Sequence, residues 1–228
     1  MAALLRPIDA FDYVNAFVKF PNLEAARPGI LDDSAKFFWM AAPWRWSVGY
    51  LLALTVTAST SDYTLTDPAD FLYIQPGSVY LSEGGSDVGR YIEVVSQIHS
   101  TVKVIGGQPS LISHPAANTY RIFPKPGTTV TSGTQIIGMY KKTCPVVSES
   151  SQYTVGTQVF DDEWFWVYRS IVLYFAYLYT DDQRAGGAQV DARGNATFSG
   201  QRGIVEGNLA IMKMREPLLV PPVPPLTK

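Results

Sequence analysis

The chain contains one cysteine, Cys144, and two histidines, His99 and His114, among 228 residues. A lone cysteine excludes an internal disulfide and a cysteine-built metal site. Both histidines fall on segments expected to be β, with no second His or Cys at ligand spacing, and read as surface or turn residues. Cys144 precedes Pro145 and has no helix N-terminus beside it to lower its pKa, which argues against a nucleophile. Charge is scarce too: 17% of residues are charged, against about 25% in an ordinary soluble domain. That shortfall suggests surface covered by other chains. Net charge is −2 and evenly spread, so no basic face stands ready for nucleic-acid phosphates.

Long apolar runs are missing as well. "WFWVYRSIVLYFAYLY", residues 164–179, holds Arg169 near its middle and is shorter than the ~20 residues needed to span a bilayer; no membrane association is expected. The opening "MAALLRPIDAF" lacks the apolar run and cleavage site of a signal peptide. There is no G-x-S-x-G, P-loop or H-E-x-x-H, and the glycine pairs in "IGGQPS" and "AGGAQ" read as turns. Paired carboxylates could serve a hydrolase. Glu93 lies in a β run, however, and Asp161, Asp162 and Glu163 at a helix start are accounted for by capping and the helix dipole. No catalytic, metal or cofactor-binding residue is assigned, no cofactor is expected, and the chain reads as a non-enzyme.

What is present is apolar and aromatic: 46% hydrophobic and 13% aromatic residues, enough for a sizeable core. "IDAFDYVNAFVKF" predicts a helix with Phe11, Val14 and Val18 on one side, ended by Pro21. A second helix is expected from Asp32 or Asp33, with a stripe of Phe37, Met40, Ala41 and Trp44, ending near Ala42 because Pro43 follows. Beyond it the period changes to two. Trp44, Trp46, Val48, Tyr50, Leu52, Leu54 and Val56 alternate with mostly small or polar residues, which predicts a half-buried strand beginning at Trp44. Trp39, Pro43, Trp44 and Trp46 are then the packing residues of a helix-to-strand junction, and Arg45 points the other way.

Residues 50–158 continue as short apolar runs, "FLYI", "RYIEVVSQIH", "TYRIFP" and "TQIIGMYKK", separated by turn clusters such as "QPGS" and "KPGTT". Helix returns near 161 in a segment apolar on nearly every side, which must be buried by neighbours all round. "AGGAQVDARGNATFSG" reads as a polar loop, and a last helix over about 202–216 gathers Ile204, Val205, Leu209, Ile211 and Met212 in one arc. Pro217 stops it, and "PLLVPPVPPLTK" reads as an extended, polyproline-like arm. The fold expected is α+β. A layer of about four helices from both chain ends (1–49 and 159–216) carries an inserted antiparallel β sandwich or barrel-like region (50–158) and a Pro-rich arm (217–228).

This order of parts resembles the head-to-tail adaptor family of tailed bacteriophages, the tail tubular protein A type. "AKFFWMAAPWRWSVGYLLALTV" is similar to that family's helix ending in a Trp-containing turn before the first strand. "TASTSDYTLTDPADFLYI" is similar to its Tyr-x-Leu…Pro-x-Asp-Phe segment, and "VFDDEWFWVYRSIVLYFAYLYTDDQ" to its aromatic third helix. The resemblance implies a virion protein of the head–tail neck, made in the host cytoplasm. It would form a self-assembled dodecameric ring that joins the portal to a downstream tail or neck protein. Double-stranded DNA would pass through its channel without specific binding. Candidate partner-contact residues are Arg45 and the arm positions Pro217, Leu218, Leu219, Val220, Pro221, Pro222, Val223, Pro224 and Pro225. A different reading is a carbohydrate-binding β module with Tyr73, Tyr80 or Tyr91 lining a groove.

Overall fold

In the computed structural model, residues 6–18, 23–82, 89–98, 106–145 and 162–215 are described. They form two compact units. The helical unit takes the chain up to Ser47 and again from Cys144, and the β unit takes Val48–Thr143 between them. The class is α+β.

In the helical unit, α1 (Pro7–Phe17) starts with proline at its first position, where the missing N–H costs nothing. Asp9 Oδ2 accepts the Arg6 backbone N–H at 2.6 Å. Phe11, Val14 and Val18 are buried on one side, as their spacing predicts. Pro21 lies outside the described residues.

Helix α2 (Leu23–Met40) begins about nine residues before the expected start and runs through Pro28 and Gly29. Gly29 serves packing. A Cβ there would lie 2.7 Å from the Tyr179 hydroxyl, which donates to Asp33 Oδ2 at 2.8 Å. A helical glycine costs about 1 kcal/mol relative to alanine, and here the close approach of Tyr179 gives a reason for it. The buried face is Ile30, Leu31, Ala35, Phe38 and Trp39, not the expected stripe: Met40 is exposed, and Phe37 and Ala41 are half-buried.

Helix α3 (Phe165–Tyr179) is the axle of the unit, and α1, α2 and α4 (Gly200–Arg215) all pack on it. Successive helical residues point about 100° apart, and three in a row address three neighbours. The Tyr168 hydroxyl donates to the Leu31 carbonyl of α2. The Arg169 guanidinium lies 3.9 Å from the Tyr13 ring centroid of α1. The Ser170 carbonyl and hydroxyl accept from Gln201 and Asn208 of α4. Val167, Tyr168, Ile171, Val172 and Ala176 have no exposed surface.

The α3–α4 connection corrects the expected loop. It is a hairpin of β10 (Ala188–Val190) and β11 (Ala196–Phe198), numbered after the nine strands below, with every strand residue exposed. Asp191 Oδ1 accepts the N–H groups of Arg193 and Asn195 at 2.8 Å, turn chemistry that a strand search for apolar alternation overlooks.

The β unit has two sheets. In the first, β9 (Gln135–Lys142) is central. β1 (Val48–Thr55) lies along one edge; β3 (Phe71–Ile74) and β4 (Tyr80–Ser82) lie end to end along the other, and β5 (Arg90–Tyr91) extends β4. The second sheet runs β2 (Asp62–Thr64), β8 (Thr119–Phe123), β7 (Leu111–Ala116), β6 (Glu93–Val94). The β6–β7 pair is parallel, the one departure from antiparallel pairing among the described strands. Side chains of both sheets share one core of Leu54, Ile74, Leu81, Ile112, Tyr120, Ile122, Ile136 and Tyr140. Gly49 of β1 is required by that arrangement: a Cβ would meet the Tyr140 ring at 2.5 Å.

The strand does not begin at Trp44. Arg45–Ser47 is a single 3-10 turn and β1 starts at Val48, so Trp44 and Trp46 do not share a strand face with Val48 and Tyr50. Instead Trp44 folds back on α2. It is fully buried, and its indole N–H donates to the Phe38 carbonyl at 2.7 Å. That satisfies one of the carbonyls a helix end leaves open. Trp46 stacks on Trp44 at 5.7 Å, and both rings pack on Phe38. Trp39 and Trp44 belong to the helical core, and Trp46 packs against it. Trp44→Ala is therefore expected to destabilise the helical unit by about 3–5 kcal/mol, measured by denaturant unfolding.

Candidate interface surfaces

Among the described residues no group of three or more His, Cys, Asp or Glu side chains could hold a metal ion, and no helix is long and apolar enough to cross a membrane. His99 and Asp161 lie outside the described residues. Glu93 is exposed on β6, Glu163 is exposed, and Cys144 is half-buried against the helical core. An open concavity of about 500 Å³ at the end of α3 is lined by residues including Tyr177, Asp181, Asp182, Gly186, Gln189 and Ser199. Its Asp182 carboxylate is engaged by Arg184 at 2.6 Å.

His114 belongs to a polar cluster that the sequence hides. Its Nε2 lies 3.1 Å from both oxygens of Asp67. The Tyr120 hydroxyl donates to Asp67 Oδ1 at 2.6 Å, and the Asn118 N–H donates to Oδ2 at 2.8 Å. In return Asn118 Oδ1 accepts the Asp67 N–H at 2.7 Å. Asn118 stands at positive φ (58°) in the two-residue turn joining β7 to β8, a conformation asparagine tolerates. Three residues on, Asp70 accepts the Tyr140 hydroxyl of β9 at 2.7 Å, and its carbonyl accepts the Thr143 N–H at 2.7 Å. The "DPAD" loop thus ties one aspartate to each sheet. This is a structural staple, with no nucleophile beside the imidazole.

Its ionisation follows from these contacts. Burial raises the Asp67 pKa, but the Asn118 N–H, the Tyr120 hydroxyl and the neighbouring His114 imidazole outweigh it, leaving the carboxyl below its ordinary value. Burial and the Asp70 carboxylate push Tyr140 up to about 12. Burial and Asp67 raise Tyr120 in the same direction.

The residues singled out as contacts are dispersed. Arg45 is exposed on the 3-10 turn, Trp39 and Trp44 are buried, and Pro43 and Trp46 are half-buried. The arm residues Pro217, Leu218, Leu219, Val220, Pro221, Pro222, Val223, Pro224 and Pro225 lie outside the described residues. Tyr73, Tyr80 and Tyr91, by contrast, are brought to one face of the first sheet. Tyr73 pairs with Lys141, Tyr80 with Ile137 and Tyr91 with Tyr80, while Tyr50 pairs with Met139 on that same face. Tyr50 is 77% exposed.

The predicted arc of the last helix splits in two. Val205, Leu209 and Met212 are buried, whereas Ile204 and Ile211 are exposed together with Met214. On α1, Tyr13 and Phe17 are exposed with their rings 4.9 Å apart. Side chains of this kind, on helices whose buried faces are already filled, are the surfaces a sequence search for a catalytic constellation does not find.

Stability has a predictable pH window. The Asp67 contribution is present above the unfolded carboxyl value of about 4 and is lost as pH falls through the lower folded value. The Tyr120 and Tyr140 contributions are present below about 10 and are lost as pH rises through their raised values. Thermal melts should show a plateau between these limits. Asp67→Ala, which strands the Tyr120 hydroxyl and the Asn118 N–H, should cost about 2–3 kcal/mol at neutral pH and flatten the acid limb.

A family model described as SU10 adaptor protein matches residues 28–210, from within α2 to within α4. No curated protein matches the chain.

Proposed function

The chain belongs to the SU10 adaptor protein family, a phage head-to-tail adaptor family, and from that premise we propose that it is a structural neck protein of the virion. In this reading copies of the chain form a ring, twelvefold by the resemblance described above. The ring sits between the portal and a downstream tail or neck protein. Double-stranded DNA passes through its channel without specific binding, and the work is assembly rather than catalysis. The family match carries the reading. It is supported by the apolar side chains exposed on α1 and α4, since aromatic and apolar residues are enriched where protein partners meet. The near-neutral, evenly spread charge suits a channel that must not hold DNA.

The arm, 217–228, would dock on the portal or on a neighbouring copy, and Arg45 would contribute to assembly. The tyrosine face of the β unit is compatible with a second reading as a carbohydrate-binding surface. Binding on a glycan array without association with a portal would favour that reading over the adaptor.

Light scattering after size exclusion and negative-stain imaging, with the protein alone and mixed with its portal, should reveal rings. A monomer under both conditions would falsify the proposal. Deleting residues 217–228 should weaken portal docking at least tenfold while leaving the circular dichroism spectrum unchanged. Arg45→Glu should lower the assembled fraction.

A further inference from the structure

Helix α4 carries a second apolar seam that its own subunit does not use. Ile204, Gly207, Ile211 and Met214 recur at spacings of three, four and three residues, all exposed, which is the period of a helix–helix seam. Ile204 is 55% exposed and Met214 79%. Gly207 is the telling residue. A glycine within a helix is unfavourable, and the other helical glycines repay it by close contacts inside the subunit: Gly29 under Tyr179, Gly203 against the Phe198 carbonyl at 2.9 Å. A Cβ at Gly207 would meet nothing within 4 Å. Nothing described in the subunit needs a glycine there, and the gap between Ile204 and Ile211 is a hole open to an outside knob.

A matching ridge stands on α1. Tyr13 and the 65% exposed Phe17 project beside the small, exposed Ala16. The two surfaces are also complementary in charge. Asp12 is exposed on the ridge, and Lys213 and Arg215 are exposed in the last turn of α4. With the helices antiparallel, the acid falls toward the bases while Phe17 meets the hole at Gly207. We infer that the α4 seam of one copy receives the α1 ridge of a second copy, a heterologous contact. Such contacts close into rings when the rotation between copies permits. The inference rests on the ring reading and names the contact that would build it.

Gly207→Leu separates the two roles of the position. It should raise the thermal midpoint of the subunit, because leucine is the better helix former, while raising the protein concentration needed for ring assembly at least tenfold. Normal assembly by this variant would overturn the inference. In a Cys144→Ser background, Tyr13→Cys and Ile211→Cys, which the same antiparallel register sets opposite each other, should form disulfide-linked ladders only when both are present, whether in one chain or in a mixture. Wild-type rings without the mixed link would reject this contact and leave the ring reading standing. Self-linking by Ile211→Cys alone would instead identify an α4–α4 contact. Mixed links that appear only after residues 217–228 are deleted would assign the seam of the intact ring to the arm and reject the α1 ridge. Only failure of wild-type protein to form rings, alone and with portal, would remove the reading beneath it.

Discussion

The helical unit depends on the burial of α3. Tyr168, Arg169 and Ser170 reach α2, α1 and α4 in turn, so one turn of a single helix sets the position of the other three. An axle of this kind must be apolar almost all round, because each side faces a neighbour and not water. It accounts for the buried aromatics Trp164, Phe165, Tyr168 and Tyr177. Some of the polar atoms on α3 meet partners on a neighbouring helix. Ser170 is an example: both its oxygens accept from α4.

The β unit solves a different problem by different means. Two twisted sheets of short strands have limited core, and its largest fully buried aromatic, Tyr120, carries a hydroxyl that must find a partner away from water. Asp67 supplies it for Tyr120, and Asp70 does the same for Tyr140. The same two carboxylates then fix the loop between β2 and β3 to both sheets. Asn118 completes the exchange with Asp67, which makes the β7–β8 turn part of the staple. The segment resembling the family's Tyr-x-Leu…Pro-x-Asp-Phe pattern is thus a cross-sheet brace.

Much of the plan was legible locally. Phe11, Val14 and Val18 announced the buried side of α1, and the runs at 71–74, 119–123 and 135–142 became strands. The run 164–179 announced a helix packed on three neighbours, although burial all round was too much to expect of it, since Trp166, Leu178 and Tyr179 are exposed. The misreadings share a cause. Asp32 and Asp33 offered local caps for a helix start, but packing of Leu23, Ile30 and Leu31, with Tyr179 lying across Gly29, holds the backbone helical from Leu23. Trp44 and Trp46 fitted a two-residue period, yet the hydrogen bond from the Trp44 indole N–H to the Phe38 carbonyl turns Trp44 back onto α2 ahead of a 3-10 turn. Ile204 and Ile211 fell within an apolar arc, and periodicity cannot say which part of a wide arc a neighbouring helix will cover.

By itself the sequence determined the class, the order of the four helices around a β region, the absence of the catalytic motifs sought and the resemblance to phage adaptors. These follow from period, turn residues and the spacing of aromatics, all of which act over a few residues. Only the tertiary structure decided where α2 begins, which tryptophan caps it, which aspartate braces which sheet, and which apolar residues of α4 remain outside. Each of those outcomes is a contact between residues far apart in the chain or a competition for one buried partner. Such a choice exists only once the helices and sheets have packed.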